Sequence, residues 1–417
     1  MNPSPTQAAE LAQERVLMFT LAGIQFAHIL DFMIMMPLGP MLMQELHINA
    51  QQFALLVSAY TFAAAFAGVA IAFIADRVER KRLLLGMFAL FSASTLACAL
   101  ATDHAALLTA RALAGAFGGA LGSVVHTMVG DLIPFERRGR ASGVIMSAFS
   151  LSTIAGVPAS LYLANLFGWR APFVFIAALA IILLWLAHRS LPELRAHLTP
   201  AATPGRWFGA ISSILADGDQ RLALLFMSLL MIGGFTVIPF ITIYATANVG
   251  IRQQDIPLLY LAGGAATFFS ARRIGRLADR YGKARVYRYV AVAAVAPLLA
   301  LTHLPPAPLW MMILVSTAFF VFVSGRMTPA LAILTSVPQP RSRGAFLSLV
   351  SAVQNLSSGA AAWLGGVILS LNAQGQVQGY DLVGWLAAAS TLASIVLVGR
   401  IRMTSAAPAL IPGGPDT

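Results

Sequence analysis

Long apolar runs, each closed by a short polar segment, repeat along the whole 417-residue chain. They fall near residues 16–43, 52–75, 83–101, 105–130, 141–165, 171–188, 221–246, 256–274, 287–302, 308–335, 345–370 and 382–400. A helix needs about 20 apolar residues to cross a bilayer, so each run is one span and twelve would use roughly 240 residues. Between the sixth and seventh runs the polar stretch 189–220 holds Pro192, Pro200, Pro204 and Gly205 and reads as a linker. The expected fold class is all-α integral membrane, with twelve transmembrane helices in two six-helix bundles. The expected organisation is an N-terminal segment (1–15), a first bundle (16–188), the linker (189–220), a second bundle (221–402) and a tail (403–417).

Composition excludes the competing soluble reading. Hydrophobic residues make up 58% and charged residues 10%, and the mean hydropathy is +0.79, which no water-facing surface of this size tolerates. The N-terminus does not read as a cleavable signal: Glu10 and Glu14 precede the first run, and Val16 to Met43 is far longer than a signal core. The single cysteine, Cys98, lies inside an apolar run and rules out an intramolecular disulfide or a thiolate metal site. No metal or other cofactor is expected.

The net charge of +11 would suggest nucleic acid if the basic residues formed a stripe, but they sit in short segments between spans. With the N-terminus inside, 23 of the 27 Lys and Arg fall on the cytoplasmic side. Arg170 and Arg252 fall outside, and Arg111 and Arg326 lie within spans. That bias places both termini in the cytoplasm and accounts for the high pI without a nucleic-acid partner. A multi-pass protein of a bacterial cytoplasmic membrane, monomeric in the lipid bilayer, is expected.

The two halves share landmarks in one register. Asp76-Arg77 recurs as Asp279-Arg280, an offset of 203. Residues 134–139 (PFERRG) return as 338–344 (PQPRSRG), and Ser147-Ala148 returns as Ser351-Ala352. Two similar bundles face to face imply a site at their interface near the bilayer midplane, exposed alternately to each side.

On these residues the chain resembles the major facilitator superfamily, specifically its twelve-span drug:proton antiporters and arabinose-efflux-like exporters. The signature between spans two and three stands as residues 72–81 (AFIADRVERK), with Asp76, Arg77, Arg80 and Lys81 in place but Ala72 and Glu79 where the family has glycine. Its second copy, residues 275–283 (GRLADRYGK), keeps both glycines, Gly275 and Gly282, around Asp279 and Arg280. Span four carries Arg111 followed by Gly115, without the usual Gln before that glycine. Span five carries the antiporter-like Gly156-Val157-Pro158, followed by Gly168-Trp169-Arg170, and span one ends in Pro37-Leu38-Gly39-Pro40.

Four groups of residues carry the candidate chemistry. An acidic side chain at the bilayer centre costs about 2.5 to 3.5 kcal/mol, so Asp31, midway along span one, must face protein or water. Gln25, His28 and Asp31 share a sector of about 120° on a helix, and this stripe is expected to line the central cavity. Asp31 is the candidate proton carrier, with His28 beside it sharing the proton or donating a hydrogen bond; a structural Asp–Arg pair is the plainer alternative. Arg111 reaches the depth of Asp31, and the resemblance assigns it to the family's proton-translocation position; its alternative is snorkelling to headgroups. Arg326, deep in span ten, binds an anionic substrate group or pairs with a carboxylate. His126, Gln354, Asn355 and Tyr60 are candidate polar contacts, and Phe235 and Phe240 candidate aromatic ones. Asp76, Arg77, Arg80, Lys81, Gly275, Asp279, Arg280 and Gly282 form a candidate cytoplasmic gate that latches the halves while the site opens outward, the plainer reading being topology-setting charge. The glycines from Gly115 to Gly122 lack the strand and the Lys-Ser/Thr of a phosphate loop, so they serve close helix packing.

The expected function is secondary active transport of a small-molecule substrate: proton-coupled efflux of a small amphipathic organic compound by alternating access. Import of an organic anion is the same-fold alternative. A membrane-embedded enzyme or a non-transporting sensor is the rival of another class, but no cluster of nucleophile, metal ligands or acid and base is found at one level, and a 32-residue linker and a short tail are not expected to supply a sensory domain.

Overall fold

The computed structural model describes residues 5–74, 77–133, 135–192, 205–339 and 343–403. It is built almost wholly of helices. In the first half, α1 (Pro5–Ile34) is prolonged by the short α2 (Gly39–Glu45), and α3 (Ala50–Ile74), α4 (Arg80–Leu100) and α5 (His104–Leu132) follow. The fifth pass is broken into α6 (Phe135–Leu151) and α7 (Val157–Phe167), and α8 (Ala171–Ser190) is the sixth. In the second half α10 (Gly218–Phe235) and α11 (Ile241–Tyr244) make one broken pass, preceded by α9 (Gly205–Ala216). Then come α12 (Ile256–Tyr281), α13 (Lys283–Thr302), α14 (Leu309–Gly325) with α15 (Met327–Leu334), α16 (Arg343–Ile368) and α17 (Tyr380–Val398). Counted as passes, these helices make the expected twelve.

Ten of the passes are long and apolar enough to cross a membrane by length and composition alone. The other two, α12 and α16, are those that join the halves. Because α16 lies along α3 and α12 along the α6–α7 pass, much of their surface meets protein rather than lipid, and polar positions cost less there.

The breaks have local causes. Pro37 and Pro40 bracket the turn after α1. Before Pro158, which has no N–H to give, the helix widens into a π turn over Ser152–Gly156, closed by the Val157 N–H on the Ser152 carbonyl. Pro239 sits in the 3-10 turn Ile238–Phe240 that divides the seventh pass, and Pro329 follows the break at Arg326. Side-chain caps start other helices: Asp103 accepts from the Ala106 N–H at 2.9 Å, and Asp217 from the Gln220 N–H at 3.0 Å. The second of these bonds holds the Asp217 carboxyl below the usual carboxylate range. The cap is therefore intact at neutral pH and is lost as pH falls through that lowered value.

The linker expectation needs one correction. Residues 205–216 form α9, whose Ile214 is buried in the core of the second half. A small apolar side chain one turn from the helix end is enough to dock it, and the hydropathy of so short a segment did not reveal it.

Each half has a private core toward the end of the molecule that carries the arginine-rich loops, here called the basic face. Leu21, Ile24, Phe88, Val125 and Ile145 build one. Phe226, Met227, Tyr287, Ile333 and Phe346 build the other. At the opposite, far face a third core is shared: Leu42, Phe53 and Trp169 from the first half pack with Phe240, Ile243 and Leu259 from the second. A two-stranded hairpin, β1 (Ser370–Leu371) and β2 (Val377–Gln378), caps this face. Asn248 holds it with both amide atoms, donating to the Val377 carbonyl at 2.9 Å and accepting the Val377 N–H at 2.8 Å.

Apolar burial alone gives helices little reason to associate in lipid, so close approach at small residues matters more. A Cβ on Gly264 would stand 2.8 Å from the Thr153 carbonyl oxygen, and one on Gly39 would stand 2.8 Å from Ile243. Ser58 donates to the Gly359 carbonyl across the same seam at 2.9 Å. Within the first half the glycine run of α5 does the same work, with Gly115 against the Tyr60 backbone and Gly119 against Ala64.

Gly115→Ala, which forces α3 and α5 apart, is expected to destabilise the protein by about 1 to 3 kcal/mol. Gly68→Ala in α3, where a Cβ meets nothing within 4 Å, is expected to be neutral or to gain up to about 1 kcal/mol. Thermal unfolding of both variants in one detergent tests this, and equal losses would contradict the packing assigned to the run.

Candidate functional site

A cavity of about 640 Å³ lies between the halves, on the basic-face side of the shared core. Four helices supply most of its wall. Gln25, His28, Ile29 and Phe32 come from α1, Tyr60 and Ala64 from α3, Gly119 to Thr127 from α5, and Leu347 to Asn355 from α16. The α6 residues Ile145, Met146 and Phe149 close one side. Gly119 and Gly122 expose the α5 backbone to it, and His28 Nε2 would lie 3.7 Å from a Cβ placed at Gly122.

Behind that wall is an ion pair. Arg111 Nη1 lies 2.8 Å from Asp31 Oδ2 and donates also to the Asp31 carbonyl at 3.3 Å, and both side chains are fully buried. Thr95 of α4 donates to the other carboxylate oxygen at 3.3 Å. The guanidinium lies over the Tyr60 ring, 4.4 Å from its centroid. Such a desolvated cation–π contact contributes about 2 kcal/mol. Arg111 Nε and Nη2 have no hydrogen-bond partner among the described residues.

Tyr60 is the partition between pair and cavity. One side of its ring carries Arg111, while its hydroxyl stands 3.5 Å from His28 Nδ1. Phe32 packs on it at 5.3 Å and reaches Phe235 of the opposite half at 6.1 Å. The ring fits because α5 has glycine where it passes: a Cβ at Gly118 would stand 2.5 Å from the Tyr60 hydroxyl.

The structure thus joins Asp31 to Arg111 and puts Gln25, His28, Tyr60, Gln354 and Asn355 on the cavity, while Phe235 packs on Phe32 and is not among the lining residues. Three expectations are corrected. Asp31 is not part of the cavity wall: about 60° of helix separates it from His28, enough to turn it toward Arg111. Arg326 does not reach the cavity either. It is 1% exposed and donates to Thr391 Oγ1 at 2.6 Å and to the Leu230 carbonyl at 3.3 Å, with neither a carboxylate nor an open site beside it among the described residues. Phe240 lies in the far-face core, 6.3 Å from Phe53, because the break at Pro239 swings it away from the cavity.

His126 lies within α5, but its side chain is outside the described residues, as is the whole of Asp76. Of the gate residues, Arg77, Asp279 and Arg280 are exposed and Lys81 is half-buried. Arg80 pairs with Asp131 of its own half at 3.2 Å. Gly275 has Thr328 as neighbour, 3.6 Å from a Cβ placed on it, and Gly282 takes φ +93°, which favours glycine. Gly156 closes the π turn with Leu30 at 2.9 Å from a placed Cβ, and Pro158 starts α7. Among the described residues every ion pair lies within one half.

Sequence reasoning missed Thr95, Asp131, and the cavity residues Ser123, Ser348 and Ser351. Only Ser351 carried a signal, as the second copy of Ser147.

The Major Facilitator Superfamily model matches residues 21–362, and matches again over 223–414. The chain belongs to this superfamily. Among its relatives are a chloramphenicol resistance protein of Streptomyces lividans, 27% identical over 89% of this chain and 93% of the relative, and a probable sugar efflux transporter of Pasteurella multocida, 25% identical over 88% of each. The fold is that of the nucleoside transporter NupG, with a TM-score of 0.73 at 14% identity over 92% of this chain and 99% of that one. The protein is thus a multi-pass membrane transporter of two six-helix halves.

Breaking one member of the buried pair leaves an uncompensated charge in a dry site, at a cost of about 3 to 5 kcal/mol. Asp31→Asn and Arg111→Gln are each expected to lower the unfolding temperature, and the double variant to recover part of the loss. A double-mutant cycle measured by thermal unfolding checks this, and simple additivity would mean that the pair is not coupled.

Proposed function

We propose that the protein exports a small amphipathic organic compound in exchange for protons, from a bacterial cytoplasmic membrane with both termini inside. The observation that carries the reading is the Asp31–Arg111 pair, fully buried yet separated from the cavity by a single ring, that of Tyr60. On the excess of Lys and Arg we read the basic face as the cytoplasmic one and, with the shared core at the far face, the arrangement as closed outward and open inward.

In this state Asp31 is ionised and held by Arg111. Protonation from the outside, in the outward-open state, neutralises the carboxyl and frees the guanidinium from it. Return to the inward-open state lets the proton leave past Tyr60, whose hydroxyl stands 3.5 Å from the cavity-lining His28. The pair then re-forms as substrate enters from the cytoplasm. Coupling arises because Tyr60 touches both events: its ring lies against Arg111 and its hydroxyl faces the cavity wall.

The latch expected of Asp76, Arg80, Asp279 and Arg280 belongs to the opposite state. With the basic face open its described members are exposed or paired within their own half, so exposed charges hold nothing across the seam here. The Streptomyces lividans relative is named for chloramphenicol resistance and the Pasteurella multocida one for probable sugar efflux, and both names favour the outward direction. Import of an organic anion loses the residue that favoured it, since Arg326 is enclosed in the second half.

Inside-out vesicles with an acid interior should take up substrate in wild type, and Asp31→Asn should abolish the dependence on the gradient while leaving downhill exchange. Gradient-driven uptake that persists unchanged in Asp31→Asn would remove Asp31 from the proton path. Orientation is checked with Ser351→Cys in a Cys98→Ser background. A membrane-impermeant maleimide should label it from the cytoplasmic side only.

A further inference from the structure

The charge of the cavity wall and one unanswered hydrogen-bond acceptor narrow the substrate class. Among the described lining residues there is no Asp, Glu, Lys or Arg; the carboxylate at this depth, Asp31, is turned away and already paired. A permanent ion carried into this space would give up hydration with no fixed counter-charge among the described lining residues to replace it, His28 and the phenol of Tyr60 being the ones that titrate. An uncharged molecule meets no such penalty.

The wall is mixed in chemistry. Ile29, Phe32, Met146 and Phe149 are apolar or aromatic. Gln25 from the first half and Gln354 and Asn355 from the second offer amides. Gln25 Oε1 is buried and has no hydrogen-bond partner among the described residues. Leaving an acceptor of this kind unmet is costly, and a residue that lines a cavity is the one whose partner a ligand supplies. What Oε1 accepts is an O–H or N–H. The volume of about 640 Å³ is that of a site for a drug-sized molecule rather than an ion or a peptide.

We infer that the cavity takes an uncharged aromatic or alicyclic molecule bearing hydroxyl or amide donors, that Gln25 is its specificity-determining acceptor, and that permanent organic cations and carboxylates are refused. This rests on the transport reading above and adds charge selection to it. Selection follows from the rotation of α1: a helix turned by about 60° would bring Asp31 to the cavity and make the site a cation site.

The test uses purified full-length protein and three probes: chloramphenicol as the neutral hydroxyl and amide donor, tetraphenylphosphonium as a cation of comparable mass, and 4-nitrobenzoate, which shares the nitrophenyl ring, as the anion. Ligand-dependent thermal shifts should appear with the first alone. Gln25→Leu should weaken that binding by about tenfold, yet the ligand-free variant should unfold at an equal or higher temperature, because the unmet acceptor is gone. A merely structural glutamine would give the reverse. Asn355→Asp, on the opposite wall, should admit tetraphenylphosphonium, and serves if Gln25→Leu does not fold.

Wild-type binding of the cation or the anion as tight as that of the neutral probe, no shift with the neutral probe, or unchanged affinity in Gln25→Leu overturns the inference. Flux in inside-out vesicles separates the two readings. Gradient-driven movement of tetraphenylphosphonium by wild type keeps export and overturns charge selection. Selective binding of the neutral probe without gradient-driven flux keeps charge selection and ends the export reading.

Discussion

A carboxylate and a guanidinium, both without solvent contact and 2.8 Å apart, decide how the first half of this transporter is put together. Neither charge is tolerable alone in a medium of low dielectric, so α1 and α5 must present them to each other. Thr95 from α4 and the ring of Tyr60 from α3 complete the enclosure. Four helices are thereby fixed about one point, and the glycine run of α5 follows from it: Gly115 and Gly118 are the vacancies that let Tyr60 lie over Arg111.

The second half solves the same electrostatic problem differently. Arg326 lies at a helix break and donates to a threonine hydroxyl and a backbone carbonyl in place of a carboxylate. Beside it Tyr287 and Ser394 hydrogen-bond at 2.6 Å and tie α13 to α17. A charge held by neutral dipoles has no partner to be released from, whereas one held by a carboxylate can be switched by a proton. The two halves share an architecture, but among the described residues only the first has a buried ion pair beside the cavity.

The seam between halves is asymmetric along the membrane normal. At the far face, glycine and serine bring α16 to α3 and α12 to the fifth pass, with a shared apolar core around Phe53 and Phe240. Toward the basic face each half keeps its core to itself, and the cavity occupies the space between them. The small-residue contacts of the seam lie apart from either private core. The seam is also why α12 and α16 are the least apolar passes: protein covers what lipid would penalise.

Hydropathy, the distribution of Lys and Arg, and the internal repeat were sufficient to determine the twelve passes, the two halves and the depth of Asp31 and Arg111, because depth in a bilayer is a matter of counting residues along a helix. Rotation about each helix axis was not determined that way. It depends on which neighbour packs closest: the polar stripe of α1 pointed to Gln25 and His28, but only the tertiary structure turned Asp31 away from the cavity, buried Arg326 among α10 and α17, and sent Phe240 past the proline break into the far-face core. The docking of α9 and the hairpin held by Asn248 were likewise invisible, since each depends on a contact between residues far apart in sequence. Sequence set the height of every charged group; packing set the direction in which it points, and for a site lined by helices that direction is the chemistry.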